Sequence, residues 1–259
     1  MRQYDFPEAT FAYRTRLWQW AEAVLLKHAL MAYDAVKDAS LFTRDDVELI
    51  RDGYVREALE GFVVNKLLFM HNRFHNSFGD YLSSMVLAGR LFGTHLRVRD
   101  LCGGRFVLSG PDLIHEALDG AAGIRQFLEN AYGSDGMYFE NTYSYHVHAL
   151  KVVLPGMLAL RGYSDPVGYR PSPWLQPTPS PGALNLRASL GRYITALRGF
   201  DRFVRADLRG IPENDSFGDS LADMSANLHI AAWRLCESRW AGDRAAGLLA
   251  RGGGRERAE

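Results

Sequence analysis

The sequence is poor in cysteine, lysine and long apolar runs, and each shortage narrows the kind of protein it encodes. Only two cysteines occur, Cys102 and Cys236, too few for a disulfide framework. Two unpaired thiols are the simpler reading, and a single bridge is the other. No CxxC or HExxH spacing marks a zinc site. Of the 30 basic residues 26 are arginine and four are lysine. Arginine suits bidentate contact with carboxylate or sulfate, but a genome-wide compositional bias explains the count more simply. Thirty acidic residues balance the basic ones, so there is no basic excess to suggest nucleic-acid binding. An anionic substrate needs only a local field and stays open. No apolar run reaches the roughly 18 residues of a membrane span. Met1-Arg2-Gln3-Tyr4-Asp5 lacks the apolar core of a signal peptide. The expectation is a cytoplasmic protein, or a chain without the true start of its gene.

What is present is apolar residues in helical order. At 47% hydrophobic and 12% aromatic, 259 residues can bury a sizeable core. Spacings of three and four predict helices over Thr15–Asp38, from Thr43 to about Met70, and then to about Phe92. Further helices are expected over Asp112–Ala131, Asn141–Leu160, Leu184–Arg209 and Ser220–Trp240. The first is apolar enough all round to be covered on more than one side. Thr43 reads as an N-cap, with Asp45 and Asp46 in the first turn, and Gly61 as a bend. Thr94–Pro111 breaks the pattern and reads as a loop or small hairpin. Its Arg97, Arg99 and Arg105 form a solvated face or a rim for an anion. Six prolines in Asp165–Pro181 predict an extended connector pinned by Trp174. The sum is about seven helices with no convincing sheet, an all-α chain whose hairpins could stack into a solenoid or close into a ring.

The chemistry concentrates in Asp135–Leu150. After the turn dipeptide Asp135-Gly136, three tyrosines and two histidines fall within eleven residues, Tyr138 to His148. On a helix, Asn141, Tyr145 and His148 share one face, and His146 points about a quarter-turn from Tyr145. His71–Asp80 adds Asn72, His75 and Asn76, also on one face if helical. Three chemistries compete. Asp135 and Glu140 could be a glycosidase pair, although Asp-Gly is a common turn. His71, His75, His146 and His148 could hold a metal, but no acidic ligands visibly converge on them. Tyrosine and histidine could move protons beside a carboxylate, with an asparagine amide stabilising the developing charge.

Asp135-Gly136-Met137-Tyr138-Phe139-Glu140 followed by Ser144-Tyr145-His146 resembles the Asp-Gly-x-x-x-Glu…Tyr-His signature of heparinase II/III-like polysaccharide lyases. Leu30–Asp34 with Leu41–Asp46, Asn72…His75-Asn76 and Ile211–Ser216 resemble further segments of that family, in the same order. The resemblance covers about Leu30 to Trp233. It implies an (α/α) toroid over 1–240; the sequence after it, ending in Arg251–Glu259 without an apolar pattern, reads as a disordered tail over 241–259. It also implies β-elimination on an anionic, uronate-containing polysaccharide, in a periplasmic or secreted enzyme, with no cofactor, no nucleic-acid partner and no membrane. Asn76 or Asn72 would neutralise the uronate carboxylate. His75 or Tyr145 would take the C5 proton, and Tyr145 would protonate the leaving O4. Tyr145 is preferred to Tyr143 because it lies five residues after Glu140 and directly before His146. His146 and Glu140 would complete the substrate contacts. Family enzymes carry a β-sandwich after the toroid, and this sequence stops where the toroid would end. The resemblance therefore implies a fragment, or a lyase-like domain of weak or no activity; the alternative is a catalytically silent helical toroid that binds glycan or a partner protein. The His75–Tyr145 gap is longer than usual in the family, and Asn-Thr-Tyr follows Glu140 where Gly-Ser or Ser-Pro is more common.

Overall fold

The computed structural model describes residues 19–68, 74–93, 95–99, 105–140, 143–175, 179, 182, 184, 189 and 191–196. The expected helix over Ser220–Trp240, the Ile211–Ser216 loop, the 241–259 tail, both cysteines, His71, Asn72 and Asn141 lie outside these residues, as do the side chains of Tyr143 and Ser144. Helix accounts for 62% of the described residues and the sheet among them is limited to one pair of strands, a mostly helical structure compatible with an all-α class.

The helices are α1 (Gln19–Val36), α2 (Arg44–Glu48), α3 (Arg56–Leu68), α4 (Phe78–Phe92), α5 (Gly110–Asp119), α6 (Ile124–Asn130) and α7 (Tyr143–Ala159). Strands β1 (Leu96–Arg99) and β2 (Arg105–Leu108) pair antiparallel, Leu96 opposite Leu108, inside the segment read as a loop or hairpin.

Helix α4 is the centre. Every residue from Phe78 to Gly89 is buried, including Asp80, Ser83 and Ser84. A helix without an exposed face must be covered all round, and α1, α5 and α7 pack against it. Small residues allow close approach. A Cβ on Gly79 would lie 2.5 Å from Val152 and 2.8 Å from Val153 of α7, and one on Gly89 would lie 2.6 Å from the Gly110 carbonyl of α5. Contact order along the chain gives directions. Lys27 meets Asp80 and Ser84 meets the Ala23 carbonyl, so α1 runs antiparallel to α4. Gly79 abuts Val152 while Ser83 reaches Gly156, so α7 runs parallel to it.

Ser83 also repairs its neighbour. Pro155 lies inside α7. The Ser83 hydroxyl donates to the Val152 carbonyl and accepts from the Gly156 N–H at 3.2 Å, satisfying both backbone groups beside the proline.

Several expectations shift. Thr43 does cap a helix, in a capping box with Asp46. The irregularity in the second helical run lies at a π-helical stretch, Leu49–Val55, and not at Gly61, which is buried within α3. Helix α1 buries Ala23, Leu26 and Leu30, packs on α4 and more lightly on α3, and leaves Leu25, Met31 and Val36 exposed. The run Asp112–Ala131 is two helices. Gly120 and Gly123 pack so tightly on the Glu116 and Leu118 carbonyls that a side chain at either would collide, and the chain turns there. Within the predicted connector, residues 165–175 form a non-helical strap, with Trp174 packed edge-on to Phe106 at 5.4 Å.

Candidate functional site

His75 and Asn76 lie in a turn ahead of α4, not on a helix as the spacing predicts. The Phe78 N–H closes that turn on the His75 carbonyl at 2.9 Å. Across from it, Asp135-Gly136 forms the expected turn. Gly136 has φ +86°, a conformation that favours glycine, and its N–H donates to the Gly133 carbonyl. Asp135 is exposed and accepts from the Met137 N–H at 2.9 Å, a local turn role instead of an acid paired with Glu140.

Two bonds join these turns. The Tyr138 hydroxyl donates to the Phe74 carbonyl. The Asn76 amide donates from Nδ2 to Glu140 Oε2 at 2.8 Å, and its Oδ1 accepts from the Ser77 hydroxyl at 3.0 Å. Asn76 is 5% exposed. Its carbonyl side is thus anchored, and one amide hydrogen is directed at a carboxylate.

His75 is half-buried. Burial holds its pKa below the usual 6.5, against the opposing pull of Glu140, so the ring is mostly neutral at neutral pH. Its Nδ1 accepts from the Ser77 backbone N–H at 3.2 Å. A backbone N–H can only donate, so the neutral ring carries its proton on Nε2. In this tautomer Nε2 is a donor and not a base.

Tyr145 and His148 lie one turn apart on α7, both partly buried. Burial first, then the charges of Lys27, His75 and Lys151, push His148 down to about 4. Lys27 on α1 and Lys151 on α7 are the cationic groups near this end of α7.

His146 occupies a different position from the one the family resemblance implies. It is completely buried. Its Nδ1 accepts from the Tyr138 N–H and its Nε2 donates to the Ala196 carbonyl, each at 3.1 Å. Neither nitrogen remains for a substrate, so His146 is a brace that fixes the Tyr138 turn against residues 191–196. Burial pushes its pKa down to about 4, in keeping with a neutral ring.

Sequence reasoning misses the Lys27–Asp80 pair, buried at the α1–α4 contact. Desolvation raises Asp80 despite the lysine beside it. The available signals were that Lys27 is one of four lysines and that Asp80 follows Asn76 by one helical turn. Among the described residues no group of three or more His, Cys, Asp or Glu side chains is placed to hold a metal ion. Comparisons with protein-family models, curated proteins and solved structures give no match to this chain.

Proposed function

We propose that this chain is a polysaccharide lyase domain of the heparinase II/III-like type, cleaving a uronate-containing glycan by β-elimination. The observation that carries the reading is the Asn76–Glu140 bond. It holds two segments 64 positions apart against each other beside the first turns of the Tyr145 helix. The helix directions are in keeping with an (α/α) toroid, in which like-directed helices are separated by antiparallel partners: α4 and α7 run together, and α1 and α5 oppose α4.

Tyr145 is assigned both proton transfers. As phenolate it takes the proton from C5 of the uronate. The C4–O4 bond breaks, a C4–C5 double bond forms, and Tyr145 returns the proton to the departing O4. Burial keeps His75 neutral with its proton on Nε2, so its role is to donate to the substrate carboxylate or the phenolate. Asn76 supplies its second amide hydrogen to the carboxylate. Glu140 would repel an anionic ligand in direct contact, so it is assigned to orient Asn76. Lys151 contributes positive potential that attracts the chain, whereas Lys27 is neutralised by its buried pair with Asp80.

Glycan binding without cleavage is the second reading, favoured by the near-complete burial of Asn76 and the engagement of its amide by Glu140. Incubation with heparan sulfate, chondroitin and alginate separates the two readings. A lyase produces ultraviolet absorbance from the unsaturated uronate, and Tyr145→Phe lowers that rate by about 100-fold or more while circular dichroism is unchanged. No absorbance from any of the three with folded protein supports the binding reading. Full activity in Tyr145→Phe removes Tyr145 from the mechanism.

A further inference from the structure

A cleft of about 470 Å³ lies between the hairpin and the strap, its lining including Arg105, Phe106, Asp112, Arg170, Pro171 and Pro173. It is remote from Asn76. Asn76 precedes the first turn of α4, whereas α5 begins against the last, where a Cβ on Gly110 would lie 2.8 Å from Gly93. The intervening 15-residue helix spans about 22 Å.

The charge in this cleft is unbalanced. Arg105 and Arg170 are exposed and make no ion pair among the described residues. Asp112 is the one carboxylate of the lining, and it is already saturated. Its Oδ1 accepts from the Tyr169 hydroxyl at 2.8 Å and the Ser172 N–H at 2.9 Å. Its Oδ2 accepts from the Ser109 N–H and hydroxyl, both at 2.8 Å. These bonds also fix the strap to α5, so the cleft wall is held in place before any ligand arrives.

The lining selects the body of the ligand as well as its charge. Phe106, Pro171 and Pro173 present apolar faces, and Phe106 is backed by Trp174. The Ser109 hydroxyl is engaged by Asp112, and the Ser172 oxygen accepts from the Trp174 N–H at 3.4 Å. Arginine forks match a planar carboxylate. We propose that this cleft is a second binding site, for a small carboxylate on an apolar ring, held by Arg105 and Arg170 at the carboxylate and by Phe106 and the prolines at the ring. It goes beyond the Asn76–Glu140 centre and does not depend on any reaction there.

Titration calorimetry of the full chain with benzoate, benzamide, acetate, inorganic sulfate and glucuronate tests this. Benzoate is expected to bind at least tenfold more tightly than each of the other four. Arg105→Gln and Arg170→Gln should each weaken benzoate about tenfold or more, the scale of one charge-assisted bond. Arg97→Gln, on the neighbouring strand and outside the lining, should leave it unchanged. Tyr145→Phe should also leave it unchanged, which separates this site from the proposed reaction centre. Equal binding of benzamide overturns the role of the carboxylate. Equal binding of acetate or sulfate overturns the role of the ring, and tighter binding of glucuronate overturns the choice of ligand. Undiminished benzoate binding by both arginine variants removes the site.

Discussion

His146 and His148 stand two positions apart and differ in almost everything the fold imposes. His146 points into the body and bonds two backbone groups; His148 lies near Lys27, His75 and Lys151. The sequence identifies both as unusual, because proton-moving side chains are dense there. It cannot tell which faces inward, because that depends on where α4 and residues 191–196 lie. The same limit applies to Asn76. Its identity as an amide near His75 is legible, but its capture by Glu140 is a long-range contact with no local signature. His146→Ala should cost about 2–4 kcal/mol in urea unfolding, since it strands the Tyr138 N–H and the Ala196 carbonyl and leaves a cavity. A change below about 0.5 kcal/mol would mean the brace is dispensable.

At the scale of elements, the helices were legible wherever apolar periodicity coincided with capping chemistry. Thr43, read as an N-cap, closes a capping box with Asp46, whereas Ser109, read as part of the loop ending at Pro111, closes another with Asp112 and starts its helix at Gly110. Glycines were harder to interpret. Gly61 suggested a bend and is simply buried, whereas Gly120 and Gly123 split a helix because carbonyls of the preceding turn press on them. The strap was foreseeable from its prolines, but its attachment was not. Asp165 accepts from His115 Nε2 at 2.9 Å, from the Tyr163 hydroxyl at 3.0 Å and from the Gly182 N–H at 2.8 Å. This one carboxylate therefore ties the strap to α5 and closes its own loop. Asp165→Ala leaves three donors without their acceptor, and a loss of about 2–4 kcal/mol is expected. Limited proteolysis should then cut between Pro166 and Leu175 faster than in the parent protein. An unchanged cleavage rate would show that Asp112 alone retains the strap.

For the molecule as a whole, buried neutral histidines set a dependence on acid. His146 and His148 have folded values of about 4 against an ordinary 6.5, so the unfolded chain takes up protons first as the pH falls. Their contribution is complete above about pH 6.5 and is lost progressively from there toward pH 4, with a ceiling on the order of 3 kcal/mol for each. Asp80 acts in the opposite sense. Burial raises its pKa, so protonation relieves the folded state, and the net loss is smaller than the two histidines alone would give. The melting temperature should fall between pH 7 and pH 5, and less steeply in His148→Gln. A flat profile would show that both rings gain compensating partners on protonation.

Helix α4 also determines where this sequence is free to change. From Phe78 through Gly89 the helix offers no position where a substitution meets only water, and the first exposed residue is Arg90 in its last turn. Change there must be matched by change in α1, α5 or α7. Neutral drift is left to the outer turns, such as the fully exposed Val167 of the strap. The loops at the two ends of α4 can therefore change independently, while the rod between them keeps its length.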